Sequence, residues 1–126
     1  MVHANLERKN YDALPAAVGP YSHAVKSGNM LYLSGFTAFG TAAQGKSMAE
    51  QAEAIFTQIK AVAEAEGIGM RSLVKVTTFV TDFSEIKELR PVLLRNYDGL
   101  PASSLVEVSK LFSPELNIEI EAIFAL

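Results

Sequence analysis

Between Ser47 and Gly67 the residues Ala52, Ile55, Phe56, Ile59, Val62 and Ala63 recur at helical spacing and share one face. An amphipathic helix with so continuous an apolar stripe must pack against something equally apolar. Gln51, Glu53, Gln58 and Lys60 are read as its opposite, solvent face. Ser47 and Glu50 have the spacing of a capping box, in which each side chain satisfies the other residue's free N–H. Gly67 is the expected terminator.

The partner surface is expected from strands. Ser22 to Ser27 and Met30 to Gly35 flank the turn Ser27-Gly28-Asn29 and form a hairpin candidate. The second of these is apolar on both faces and is predicted to be buried. Leu73 to Thr81 is rich in β-branched residues and reads as a central strand. Asp82 or Ser84 can cap a second helix reaching about Tyr97, with Ile86, Leu89, Leu93, Leu94 and Tyr97 as its stripe. Pro91 requires a looser start or a kink there. Ser103 to Val108 and Asn117 to Ala125 are the closing strands. The stretch to about Pro20 ends in a segment with two prolines, Pro15 and Pro20, and a glycine, Gly19, and reads as an irregular arm.

The order is β-β-α-β-α-β-β in a single domain spanning residues 1–126, an α+β fold with both helices on one sheet face. The other face lacks cover within so short a chain, which implies a homo-oligomer.

Composition narrows the function classes. There is no cysteine, so disulfides, zinc-thiolate sites and cysteine nucleophiles are excluded. The formal net charge is −3, with basic residues scattered, which argues against nucleic-acid binding. No segment has the length and apolarity of a membrane span. Met1 to Asn5 show no secretory pattern, and the cytoplasm is the expected location. Two separated histidines do not make a metal site. His3 is assigned no role.

Five segments in order resemble the RidA/YjgF family of enamine/imine deaminases, also called the endoribonuclease L-PSP family. They are Gly19-Pro20-Tyr21-Ser22-His23-Ala24-Val25, Leu31-Tyr32-Leu33-Ser34-Gly35, Val74 to Asp82, Pro101-Ala102-Ser103-Ser104 and Ile118-Glu119-Ile120-Glu121-Ala122. The resemblance implies a chorismate-mutase-like fold, a homotrimer with a ligand cleft at each subunit boundary, and hydrolysis of reactive enamines and imines without a cofactor.

It also implies roles. Tyr21 matches a pocket-lining tyrosine, and Glu119 matches a glutamate that positions the attacking water. Ser34 and Gly35 match a strand end whose backbone donors approach the ligand. Typical members carry an arginine for the substrate carboxylate where this chain has Ser103, which is short and uncharged. They carry a cleft asparagine where this chain has Arg90. That arginine either supplies a relocated cation or lies solvated, pairing with Glu85, Glu88 or a neighbouring subunit. His23 stands where many members have glutamine and reads as a surface or packing residue. Glu121 shares a strand face with Glu119 and reads as structural.

The expected activity is hydrolytic deamination of a small enamine or imine, with Glu119 and Tyr21 as catalytic residues and Arg90, Ser34, Gly35 and Ser103 as substrate contacts. The expected ligand is a small molecule, with a carboxylate as one candidate. The alternative is a non-catalytic ligand-binding trimer on the same scaffold. Ribonuclease action, also attached to the family, is disfavoured by the acidic balance.

Overall fold

A computed structural model describes residues 5–126 of the chain. Six strands form one sheet: β1 (Leu6–Lys9), β2 (Ala24–Ser27), β3 (Met30–Leu33), β4 (Leu73–Val80), β5 (Ala102–Glu107) and β6 (Ile118–Ala125). Their spatial order is β1-β2-β3-β6-β4-β5. All neighbours are antiparallel except β4 and β5, which run parallel. Helices α1 (Met48–Ala65) and α2 (Ile86–Asn96) lie together on one face.

The core is where the helical stripe meets that face. Ile55, Phe56, Ile59 and Val62 of α1 and Leu89 and Val92 of α2 are buried in one cluster with Leu31, Val76, Val80, Ile118, Ile120 and Phe124 of the sheet. Each such large side chain contributes about 1.5–3 kcal/mol by leaving water. The other sheet face is left open by the described residues. It carries Tyr32, Lys75, Thr77, Phe79, Glu119 and Glu121, in register across β3, β6 and β4.

Helix α1 begins and ends as its sequence requires, with one variation. Ser47 Oγ accepts from Glu50 N at 3.2 Å, but the Glu50 carboxylate accepts from the Ser47 hydroxyl at 3.0 Å rather than from its backbone. At the C-terminus Gly67 has φ +74°, a left-handed conformation that glycine adopts without steric cost. Gly67 N donates to Glu64 O and Ile68 N to Ala63 O, the pair of bonds that closes a Schellman motif.

Several expectations are corrected. The N-terminal arm contains β1, a sixth strand that pairs with β2. Leu6-Glu7-Arg8-Lys9 has no apolar face, so hydrophobic periodicity gives no sign of it. Backbone pairing holds this edge strand, and its charges suit an exposed edge. The second strand begins at Ala24 rather than Ser22, and the fifth spans Ala102–Glu107. Tyr32 is exposed on the open face instead of buried.

Gln51 is fully buried rather than solvated, because it flanks the apolar stripe and turns inward. On α2, Leu94 is 64% exposed, while Val92 takes its place in the core. Asp82 caps a 3₁₀ turn over Phe83–Glu85, accepting from Ser84 N at 2.8 Å. That turn is the looser start that Pro91 calls for, although Pro91 itself lies within α2. His3 lies outside the described residues.

Candidate active site

The end of β3 and the middle of β6 meet beside the segment that leads into β2. Side chains alternate along β6, so Ile118, Ile120 and Ala122 enter the core while Glu119 and Glu121 stand on the open face. Phe36 bridges to Ile120 in both directions, N to O at 2.8 Å and O from N at 3.0 Å. This pairing lays Gly35 directly over Glu119. A Cβ at position 35 would collide with Glu119 Oε2 and lie 2.8 Å from its Cδ. Only glycine permits that approach without moving the carboxylate.

Tyr21 closes the site from the other side. Its backbone N donates to Gly19 O at 2.9 Å, and its phenolic oxygen accepts from Val18 N at 3.4 Å. Its own hydroxyl proton has no acceptor among the described residues. Ser34 is held in place by two bonds: its N donates to His23 O at 3.0 Å and its Oγ to Ser22 O at 2.7 Å. Ser34 N is therefore not a free donor, contrary to expectation. Gly35 N has no partner among the described residues and remains available.

Val18, Tyr21, Ser34, Gly35, Phe112 and Glu119 line one open cleft of about 480 Å³. Of the predicted site residues, the structure thus brings together Tyr21, Ser34, Gly35 and Glu119. It does not bring Ser103 or Arg90 to them within one chain. Ser103 pairs with Val76 and shares its strand face with Leu105, which packs on the helix-side core. Glu119 projects from the opposite face. Arg90 is exposed on α2 and makes no ion pair with Glu85 or Glu88 among the described residues.

The electrostatics single out Glu119. It has no hydrogen-bond partner among the described residues, and burial, reinforced by the like charge of Glu121, pushes its carboxyl above the ordinary 4.5. Perturbed carboxyls in clefts are characteristic of acid–base sites. His23, by contrast, is structural. It is buried, its Nδ1 accepts from Tyr11 N at 3.0 Å, and its Nε2 lies 2.9 Å from Pro15 O. Its ring stacks on Tyr11 and meets Phe36 edge-on. Among the described residues no cluster of His, Cys, Asp and Glu converges as a metal site.

Sequence reasoning missed Phe112. It lies between β5 and β6, 59% exposed, and lines the cleft. An aromatic residue in a loop beside Pro114 was the available signal, but nothing in its spacing ties it to Tyr21.

Fold and site together define a small α+β protein with an open cleft at a sheet end that holds a half-buried carboxylate. The chain belongs to the family described as Endoribonuclease L-PSP, whose model matches residues 12–126. It is 36% identical over 115 residues to the 2-iminobutanoate/2-iminopropanoate deaminase of Escherichia coli, covering 86% of this chain and 89% of that one. It is 35% identical over 118 residues to the protein of the same name from Dermatophagoides farinae, covering 89% and 90%. The crystal structure of RidA from an Antarctic Psychrobacter superposes with a TM-score of 0.85 at 36% identity, covering 95% of this chain and 99% of that one.

Proposed function

We propose that this protein hydrolyses the C=N bond of a small reactive enamine or imine. The observation that carries the proposal is the placement of Glu119: half-buried, unpaired among the described residues and lodged against Gly35 in an open cleft. A carboxylate so placed accepts a hydrogen bond from water and draws off its proton as the oxygen adds to the imine carbon. The raised affinity of Glu119 for that proton makes it a better acceptor than an ordinary carboxylate, and the more basic amine nitrogen of the intermediate then takes the proton from it and leaves as ammonia. Tyr21 offers its hydroxyl proton to the oxygen or nitrogen of the tetrahedral intermediate, and Gly35 N is a second donor. The two deaminases at about one-third identity support the same chemistry.

The proposal includes the assembly. The open sheet face exposes Tyr32, which sits beside Ile123 in the β3–β6 register. We take it to be covered by two further copies in a homotrimer. A neighbouring chain's α2 and β5, the elements bearing Arg90 and Ser103, would then stand at the subunit boundary. Sedimentation giving a monomer at micromolar concentration refutes the trimer.

A second reading, ligand binding without turnover, is favoured by one feature: Ser103 offers no cation. The deciding assay generates imines in situ with an oxidase and compares carbonyl release with and without the protein. Acceleration that disappears in Glu119→Gln and falls in Tyr21→Phe is the expected result. No acceleration with any imine leaves the binding reading.

A further inference from the structure

The ring of His23 is fixed by two backbone partners. Tyr11 N can only donate, so Nδ1, 3.0 Å away, is the unprotonated nitrogen. Nε2 then carries the hydrogen and donates it to Pro15 O at 2.9 Å. The ring is 5% exposed, stacked on Tyr11 and edge-on to Phe36. Its backbone is engaged as well: His23 N donates to Asn10 Oδ1 at 3.2 Å, and His23 O accepts from Ser34 N at 3.0 Å. All these partners belong to the same chain, so the arrangement is complete without a neighbouring subunit.

The segment Pro15–Tyr21 depends on this ring. Its bonds from Val18 N to the Tyr21 hydroxyl and from Tyr21 N to Gly19 O are internal. Among the described residues, the bond from His23 Nε2 is the one hydrogen bond that ties the segment to residues outside it. Upstream, the Tyr11 hydroxyl donates to Glu66 Oε2 at 2.8 Å, and Lys9 Nζ lies 3.3 Å from the same oxygen.

The charge of the ring decides whether this latch can close. A histidine gains its proton in the range of about pH 5 to 8, and both nitrogens are then donors. Nδ1–H would face the N–H of Tyr11, two donors 3.0 Å apart with no acceptor between them. The titratable groups around the ring are Tyr11, with Glu66 and Lys9 behind it, and Tyr21, which lines a recess together with His23. No charged side chain among the described residues pairs with the ring to offset its charge.

We infer that His23 is a positioning residue for Tyr21: in its neutral Nε2–H form it latches the segment that bears the tyrosine, and in its charged form it releases that segment. This rests on the deaminase reading, in which Tyr21 offers its hydroxyl proton to the intermediate. It adds an acid-sensitive step distinct from the ionisation of Glu119.

The test begins with the ring, in the whole protein. Long-range ¹H–¹⁵N spectra at about pH 8 should show His23 in the neutral Nε2–H form. Hydrogen exchange at Tyr11 N, corrected for the intrinsic effect of pH, should lose at least about tenfold in protection between about pH 8 and about pH 5. His23→Gln, which cannot ionise and whose amide can reach Pro15 O, should show no such loss. With an imine made in situ, kcat of the wild type should fall toward acid in two stages, and that of His23→Gln in the single stage of Glu119. His23→Phe keeps the ring packing without either bond. It should lower kcat about ten- to thirtyfold with KM changed less than about twofold. Adding Tyr21→Phe to it should cost less than about twofold more, because the tyrosine is already out of place. The wild-type spectra and exchange decide the matter even where His23→Phe fails to fold.

The Nε2–H form, pH-dependent protection confined to the wild type, and non-additive losses support the inference. A ring protonated at Nδ1 or at both nitrogens near pH 8, protection that follows pH equally in wild type and His23→Gln, or additive losses overturn it. Turnover accompanied by any of these leaves the deaminase reading standing and removes the latch alone. No turnover of any imine overturns both.

Discussion

Glu53 and Glu119 are the same side chain in opposite circumstances. Glu53, on α1, is gripped from α2: Asn96 Nδ2 donates to it at 2.6 Å and Arg95 donates to Oε2 at 2.9 and 3.1 Å. Asn96 in turn accepts from Lys60 at 2.6 Å and donates to Val92 O. The Asn96 hydrogen bond is the main cause that holds the Glu53 carboxyl below the usual range, against the opposing effect of burial and with help from Arg95 and Lys60. Glu119 has no such partners among the described residues, and its carboxyl moves the other way. The fold can satisfy a carboxylate when it needs one to join two helices. The difference therefore teaches that leaving Glu119 unsatisfied is a property of the cleft rather than a shortage of donors in the molecule.

The comparison breaks most visibly at Glu119 itself. Glu119→Gln should lower imine turnover about a hundredfold or more, the usual contribution of a positioned acid–base group. The same change should raise thermal stability. A carboxyl whose folded value is raised disfavours folding once it ionises, so this cost appears as pH rises through the folded value. The melting-temperature gain of Glu119→Gln over wild type is thus expected to grow from pH 4 to pH 7. A constant difference would show that Glu119 ionises as freely folded as unfolded.

Gly35→Ala comes next. The added methyl must displace the Glu119 carboxylate, and small misplacements of a reacting group cost up to about a hundredfold. Turnover should fall about ten- to a hundredfold, and a crystal structure of the variant should show the carboxylate moved. Wild-type turnover in Gly35→Ala would detach activity from the position of Glu119.

Asn96→Ala sharpens the other half. Removing a buried amide that serves both Glu53 and Lys60 should destabilise by about 1–3 kcal/mol in urea titration, with turnover unchanged. The pH sign is the reverse of that for Glu119. A depressed carboxyl contributes stability above its unfolded value and loses it as pH falls through the folded value. Glu53→Gln should therefore cost more stability at pH 7 than at pH 3. The smallest effect is expected for Arg90→Ala, exposed and without an ion pair among the described residues: less than about twofold in ligand affinity. A tenfold loss would place a neighbouring subunit's Arg90 in the cleft.

The two regions also differ in how far the sequence discloses them. Helix α1, its cap at Ser47 and its end at Gly67 follow from local spacing, and the strands β4 and β6 follow from β-branched content and alternation. The pairing of Gly35 with Glu119 joins residues far apart in the chain, and only the resemblance to known family segments linked them in advance. Strand β1 was hidden because its stability comes from backbone bonds to β2, which carry no side-chain pattern. Gln51 was misplaced because a polar residue on the flank of a stripe can turn either way. Phe112 stayed unseen because a loop aromatic has no periodicity, and the fold alone carries it to Val18 and Phe39.

The burial of Gln51 has a consequence for how such a chain can vary. Its amide donates to Lys46 O and Glu115 O and accepts from Asn117 N at 3.1 Å. The start of β6 is thereby pinned to the start of α1, two residues before Glu119. Because side chains alternate, a slip of one residue would send Glu119 into the core and an isoleucine into the cleft. Insertions or deletions after Glu115 are therefore expected to abolish the site. The loop from Val108 to Pro114 lies ahead of that anchor, and it carries Phe112. Its length and sequence can drift while the carboxylate keeps its place, so the two sides of the cleft, Glu119 and Phe112, are carried on pieces of chain that can vary separately.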